Sequence, residues 1–217
     1  MKYIIMCGGK YKDWKTPKHL LPINGEPIVS RTIRLLRENG INDICISTDN
    51  MEFKKCGVPI LKHKNHYNVR AYNDFSGYWC DAFYPLSEPA CYIFGDVIFS
   101  PEAIKTIVNI PTNDIEFFAS APPFSKYFIK EWAEPYAFKV VNQKHLSDAI
   151  RITKELDAKK KFDRKPLAWE LWQVIKETPL NEIDYTNYTV INDYTCDIDN
   201  PEDVAKIRAI IGEIENG

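Results

Sequence analysis

Read from its start, the chain alternates short apolar runs with stretches in which apolar residues recur every three or four positions. Lys2 to Met6 reads as a strand, closed by Gly8-Gly9 and a polar loop that carries Lys10, Lys12, Lys15 and Lys18. Ile28, Ile33, Leu35 and Leu36 then follow helical spacing, with Pro27 at the first helical position and Asn39-Gly40 as the stop. Asp43 to Thr48 is a second apolar run, ending in Asp49-Asn50, and Val58 to Leu61 is a weaker third. The pattern next predicts a helix near Phe75 to Tyr84 and a buried strand at Cys91 to Phe94, cut off by Gly95-Asp96. Ser100-Pro101-Glu102 opens another helix. Strands alternating with helices predict an α/β fold. Its mostly parallel central sheet would be covered on both faces and bind ligands beyond the carboxyl ends of the strands.

The second half is less regular. Ile115 to Ala121 and Tyr136 to Val141 are strand-like, and the aromatic-rich stretch Pro122 to Trp132 between them suits a lid. Gln143 to Leu156 and Pro166 to Lys176 read as helices. Asn200-Pro201-Glu202-Asp203 is a strong helix start, with a cap, a proline at the first position and two acids in the first turn. The last helix is expected over 200–214. No repeat or low-complexity segment interrupts the chain. One domain over 1–217 is expected, with a nucleotide-binding part near 1–110 and a smaller substrate-binding lobe near 111–195.

The 217 residues are enough to bury a core without disulfides or metal staples. With 28 Lys+Arg against 30 Asp+Glu, the balance argues against a nucleic-acid partner, whose phosphates call for a strong basic excess. No apolar run is long enough to span a bilayer, and Met1 to Met6 meets Cys7-Gly8-Gly9 too soon for a signal peptide. A cytoplasmic protein with no membrane partner is the expectation, and a homodimer is left open. The six cysteines form no Cys-x-x-Cys pair and read as buried thiols. His63 and His66 lack the neighbours of a zinc site and read as exposed loop residues.

Neither Gly-x-Gly-x-x-Gly nor Gly-x-x-x-x-Gly-Lys-Ser/Thr is present. What stands in their place is Gly8-Gly9, then Lys10, Lys12 and Lys15, then Pro17-Lys18. Glycines let a backbone approach a polyphosphate, and lysines neutralise its charge; a tight turn with a solvated charge run is the alternative. Two acidic strand ends add to this, Gly95-Asp96 and Cys196-Asp197-Ile198-Asp199. If both strands lie in the central sheet, their carboxylates emerge on the edge that carries Gly8-Gly9. One or two carboxylates plus substrate phosphates are what Mg²⁺ uses. For Asp199, an ordinary turn acid ahead of a helix cap is the other reading.

Ile4-Ile5-Met6-Cys7-Gly8-Gly9, Pro17-Lys18-His19-Leu20, Asn24-Gly25-Glu26-Pro27-Ile28, Gly95-Asp96 and Asp197-Ile198-Asp199-Asn200-Pro201-Glu202-Asp203 together resemble the nucleotidyltransferase family that makes nucleoside-diphosphate sugars and related activated compounds. The resemblance implies a single Rossmann-like, GT-A-like α/β domain. It implies that Cys7, Gly8, Gly9, Lys10 and Lys12 line the triphosphate site and that Lys18 contacts the transferred and attacking phosphates. Asp96 and Asp199, with Asp197 as a further ligand, would hold Mg²⁺. The family's usual Gly-x-Gly-x-Arg is here Gly8-Gly9-Lys10-Tyr11-Lys12-Asp13, without the later glycine or the arginine. Lys12 would supply charge but not a bidentate fork.

Two short stretches lean toward CTP as the nucleotide. Cys45-Ile46-Ser47-Thr48-Asp49 is similar to a strand end of cytidylyltransferases that activate acidic sugars, and Tyr72-Asn73-Asp74-Phe75-Ser76 resembles the base-proximal loop of phosphocholine cytidylyltransferases. A strand end and a helix cap are the plain alternatives. Tyr72, Asn73, Asp74 and Ser76 are accordingly expected at the nucleotide. The Pro17-Lys18 pair fits an acceptor that attacks with a phosphate. Trp132, Tyr136, Trp169, Glu170 and Trp172 suggest aromatic faces beside carboxylates, suited to a small cationic acceptor such as a phosphocholine or a phosphorylated amino acid. The resulting expectation is an Mg²⁺-dependent cytidylyltransferase serving surface-polysaccharide (capsule) or glycoconjugate synthesis. The alternatives are a sugar-1-phosphate nucleotidyltransferase using UTP, dTTP or GTP, a glycosyltransferase of similar fold, and a non-catalytic nucleotide-binding subunit.

Overall fold

A computed structural model of the chain describes residues 1–8, 14, 16–64, 77–121 and 133–216, with the side chains of 215 and 216 left aside. A seven-stranded sheet is built from β1 (Lys2–Met6), β4 (Ile44–Thr48), β5 (Ile60–Lys62), β6 (Ala90–Phe94), β8 (Ile115–Ser120), β9 (Pro135–Val140) and β10 (Thr189–Ile191). Its spatial order is β10-β8-β9-β6-β1-β4-β5. The pairs β1/β4, β1/β6, β4/β5 and β8/β10 are parallel, whereas β9 lies antiparallel between β6 and β8. Ile4, Ile5, Ile46, Tyr92 and Ile93 are fully buried, the continuous apolar run expected of central strands covered on both faces.

After β1 the chain moves outward through α1 (Ile28–Glu38) to β4 and β5, then returns to place β6 on the other side of β1. The strand order therefore reverses between β1 and β6. A crevice opens where successive connections diverge, and it lies at the carboxyl ends of these two strands. Gly8 follows β1 there, and Gly95-Asp96 follows β6.

The α-helices that form lie where the spacing predicts them. α2 (Pro101–Asn109) starts at Ser100, whose hydroxyl accepts from the Ala103 N–H at 2.9 Å. α3 (Gln143–Ala158), α4 (Ala168–Lys176) and α5 (Pro201–Asn216) complete the set, and α1 packs on α2 as α3 packs on α4. Among the described residues no helix is long and apolar enough to cross a membrane. The expected helix near Phe75 to Tyr84 is replaced, within the described residues, by one 3-10 turn at Trp79–Ala82; residues 65–76 lie outside them.

Two apolar clusters hold the fold. The larger covers the sheet and includes Phe117 stacked on Phe138 at 4.3 Å, with Trp169 and Trp172 against Phe117. The smaller joins Ile23, Ile28, Ile98, Cys196, Ile198, Val204, Ile207 and Ile211. It packs α5 against the hairpin of β2 (Pro22–Ile23) and β3 (Glu26–Pro27), and against the antiparallel pair of β7 (Val97–Ile98) and β11 (Cys196–Asp197). The strand carrying Asp197 is thus outside the central sheet, contrary to the sequence expectation. Residues 111–195 supply β8, β9 and β10 to the same sheet as the first half. Five cysteines are buried and Cys56 is half-buried, with no disulfide.

Candidate active site

The crevice is built around Lys18, which opens a 3-10 turn (Lys18–Leu20) after Pro17. Its side chain is only 4% exposed, and its ammonium lies 2.7 Å from Asp96 Oδ2 and 3.8 Å from Asp199 Oδ1. It also donates to the Ile198 carbonyl at 2.8 Å. Burial alone would push this lysine down, but Asp96, Asp197 and Asp199 outweigh it and hold the ammonium protonated above its ordinary value. Asp96 shows the mirror effect: burial pushes its carboxyl up, while Lys18 and its hydrogen bond bring it below the usual carboxylate range. The His19 ring is buried beside this pair, and burial lowers it to about 4, so it is neutral at pH 7.

Gly95 makes the pairing possible. A Cβ there would stand 2.6 Å from the Met6 carbonyl oxygen and 2.5 Å from Cys7 Sγ. Only a residue without a side chain lets the end of β6 lie this close to the end of β1. Gly95 N–H donates to that same Met6 carbonyl at 3.0 Å, and the turn it begins delivers Asp96 to Lys18.

Asp197 and Asp199 reach the crevice through β11. Ile198 N–H donates to the Asp96 carbonyl at 3.1 Å, anchoring the 197–199 segment to the β6–β7 turn. Cys196 and Ile198 face the smaller cluster and the two acids alternate away from it, as the period of two requires. Asp203, in the first turn of α5, accepts from the Asp199 and Asn200 N–H groups at 3.0 and 2.9 Å. Among the described residues, Asp197, Asp199 and Glu134 each offer a carboxylate oxygen, all within 4.8 Å of one another. Three hard oxygen donors at that spacing suit Mg²⁺. Glu134 comes to this edge because β9 runs antiparallel to β6: the start of β9 lies beside the end of β6, with Ala137 opposite Ile93. Ser120 pins it there, accepting from the Glu134 N–H through its hydroxyl at 2.8 Å and donating its own N–H to the Glu134 carbonyl at 2.9 Å.

Residues 3–72 match the profile of the MobA-like NTP transferase domain. That match spans the segment from β1 to just beyond β5, less than half of the chain. A likeness in fold extends over nearly the whole chain: a protein from Bacillus anthracis described as a glucose-1-phosphate thymidylyltransferase, solved in complex with sucrose, superposes with a TM-score of 0.57 at 18% identity. That match covers 96% of this chain and 94% of the other. A 4-diphosphocytidyl-2C-methyl-D-erythritol synthase from Anaerococcus prevotii gives a TM-score of 0.57 at 15% identity, covering 97% and 99%. No curated protein sequence matches the chain.

Within this nucleotidyltransferase fold the structure brings Gly8, Lys18, Asp96, Asp197 and Asp199 to one sheet edge. Asp96 sits on Lys18, and the three-carboxylate group forms around Glu134 instead. Cys7 is buried with its thiol toward Gly95, and its N–H donates to the Ser47 carbonyl at 2.9 Å. Gly9, Lys10, Lys12, Tyr72, Asn73, Asp74, Ser76 and Trp132 lie outside the described residues. Tyr136, Trp169 and Trp172 do not form an aromatic face on the crevice. They are 1%, 3% and 1% exposed, and each donates its polar hydrogen to a backbone carbonyl, of Thr195, Ala133 and Thr186. Glu170 is buried too, paired with Arg164 at 2.6 Å and accepting from the Leu167 N–H at the start of α4. Large rings with a satisfied donor are core residues first. His63 also differs from its expected exposure: it is half-buried, and its Nδ1 lies 3.1 Å from the Ser47 hydroxyl.

Proposed function

We propose that the protein is an Mg²⁺-dependent cytidylyltransferase that moves CMP from CTP to the phosphate of a small phosphorylated acceptor and releases pyrophosphate. The observation that carries the reading is the Lys18 ammonium, held at 2.7 Å from Asp96 beside the Asp197, Asp199 and Glu134 carboxylates at the strand reversal. Both reactants are anions, so the protein's task is positioning and charge neutralisation rather than proton transfer. An acceptor phosphate oxygen attacks the α-phosphorus, its new P–O bond forming as the bond to pyrophosphate breaks. Lys18 offsets charge on the phosphates, and Gly8 lets the backbone approach them. Asp197, Asp199 and Glu134 would hold Mg²⁺, which when bound neutralises phosphate oxygens and aligns them.

CTP as donor is supported by the Ser47-Thr48-Asp49 strand end and by the fold shared with a protein whose product is a diphosphocytidyl compound. Tyr136, Trp169 and Trp172, which suggested a cationic acceptor, lie in the core, so the reading rests on the acceptor's phosphate. A role in surface-polysaccharide or glycoconjugate synthesis follows from the class of product. The fold shared with the thymidylyltransferase-like protein supports the second reading, a sugar-1-phosphate nucleotidyltransferase.

Pyrophosphate release across CTP, UTP, dTTP and GTP, each with phosphocholine, phosphorylated amino acids and sugar 1-phosphates, tests both. Turnover with CTP and a phosphorylated acceptor is expected. Preference for another triphosphate selects the second reading, and silence across the panel with Mg²⁺ overturns both.

A further inference from the structure

The segment that carries Asp197 and Asp199 is held by buried polar groups from three other elements. Asp193 accepts from the Ser100 hydroxyl at 2.5 Å and from the Thr195 N–H at 2.7 Å. The Ser100 N–H donates back to the Thr195 hydroxyl at 3.0 Å, and the Tyr136 hydroxyl donates to the Thr195 carbonyl at 2.6 Å. Arg31, on α1, donates Nη2 to the Tyr194 hydroxyl at 3.1 Å and Nε to the Phe99 carbonyl at 3.3 Å. Ser100 and Thr195 are fully buried, and Arg31 and Tyr194 are each 8% exposed.

Burying this many polar groups is costly unless each is matched, and apolar residues would pack a short loop more cheaply. The bonds converge on residues 193–195, two positions before the first of the crevice acids. The groups that anchor them come from α1, from the junction of β7 and α2, and from β9, which Glu134 immediately precedes. A β11 of two residues has too little ladder to set its own position, so these bonds fix where the acids stand.

We propose that Asp193, with Ser100 and the Arg31–Tyr194 pair, is a positioning device that sets Asp197 and Asp199 against Glu134 for the divalent cation. The cation role rests on the function proposed above; the clamp itself does not. None of these residues touches the reacting atoms. Asp193 acts through the backbone of Thr195, and Arg31 links the segment to the helix that follows the Lys18 loop.

Asp193→Ala removes both acceptors while leaving Ser100 to cap α2, and Asp193→Asn keeps an oxygen but not the charge. Hydrogen exchange is measured first, without metal. In Asp193→Ala, amides of 193–199 are expected to exchange at least tenfold faster while those of β1 and β6 keep their protection. Unchanged exchange in 193–199 overturns the clamp. Mn²⁺ binding, followed by electron paramagnetic resonance, is expected to weaken about tenfold in Asp193→Ala and to recover largely in Asp193→Asn. Equal loss in both would mean that Asp193 acts by its charge, and the positioning role fails. If Asp193→Ala does not fold, Tyr194→Phe, which removes the hydroxyl that accepts from Arg31 Nη2, is expected to give the same exchange pattern at smaller size; a flat result there overturns the proposal. A wild-type protein that binds no Mn²⁺ while its 193–199 amides depend on Asp193 would refute the metal reading and leave the clamp standing.

Discussion

Replacing Lys18 by Met isolates what the buried charge contributes. Methionine keeps much of the aliphatic stem, so packing changes little, but Asp96 loses the ammonium at 2.7 Å and the Ile198 carbonyl loses its donor. Removing one partner of a fully buried pair costs about 3–5 kcal/mol. The Asp96 side chain retains 21% of its exposure, so the loss at pH 7 is expected near the lower end, about 3 kcal/mol. The dependence on pH separates charge from packing. In the wild type the carboxyl is held below its ordinary value, so its contribution is complete above about pH 4 and fades as pH falls through the lowered value. Lys18, held above its ordinary value, contributes fully below about pH 10 and fades as pH rises through the raised one. In Lys18→Met burial becomes the largest influence on Asp96, which is then expected to rise and take up a proton on mild acidification. The penalty should therefore shrink between pH 7 and pH 5. Urea unfolding of the wild type, Lys18→Met, Asp96→Asn and the double variant measures it, with a coupling energy of about 2 kcal/mol expected at pH 7. Additivity within about 0.5 kcal/mol, or a loss that does not change with pH, would refute the reasoning.

Gly95→Ala places a methyl 2.6 Å from a main-chain oxygen that cannot swing aside, and should cost about 1–3 kcal/mol by thermal unfolding while lowering pyrophosphate release more than stability alone explains. Trp172→Ala should cost about 3–5 kcal/mol, because the ring is 1% exposed against Phe117 and Phe138. The milder Trp172→Phe should leave the acceptor KM unchanged, and a selective rise in KM would return this ring to the acceptor site. His19 refuses a proton in the native state down to about pH 4, whereas the unfolded chain accepts one near pH 6.5. Stability from this source is complete above pH 6.5 and falls by up to about 3 kcal/mol on acidification toward pH 4, a slope that His19→Gln should remove in urea titrations.

Much of the fold was legible because its signals are local. The runs at β1, β4 and β6, the helical spacing of α1 and the start of α5 at Pro201 are each set by residues a few positions apart, and all form where the pattern places them. The site was legible in part for the same reason: Gly8, Lys18, Asp96, Asp197 and Asp199 sit at ends of short elements, and those ends gather at one edge. Glu134 was not legible as their companion. Nothing in the stretch before Pro135 states that the next strand runs antiparallel, and that direction alone carries Glu134 to the crevice. The tryptophans misled for a related reason. Trp169 and Trp172 occupy one helix beside Glu170, a sequence that fits a cation-binding face as well as a core. Which face meets the sheet is decided by Phe117 and Phe138, about fifty and thirty residues earlier in the chain.

By itself, then, the order of residues determined the elements, the glycine at the β6 turn and the acids available for chemistry. Periodicity and capping act over one or two turns of chain, so they are written locally. Only the tertiary structure decided which acid pairs with Lys18, that Glu134 joins Asp197 and Asp199, and that Arg31, Ser100 and Asp193 converge on the segment carrying those two acids. These are contacts across 63 to 180 positions, and their geometry is set by strand direction and by the packing of α5 against the small second core.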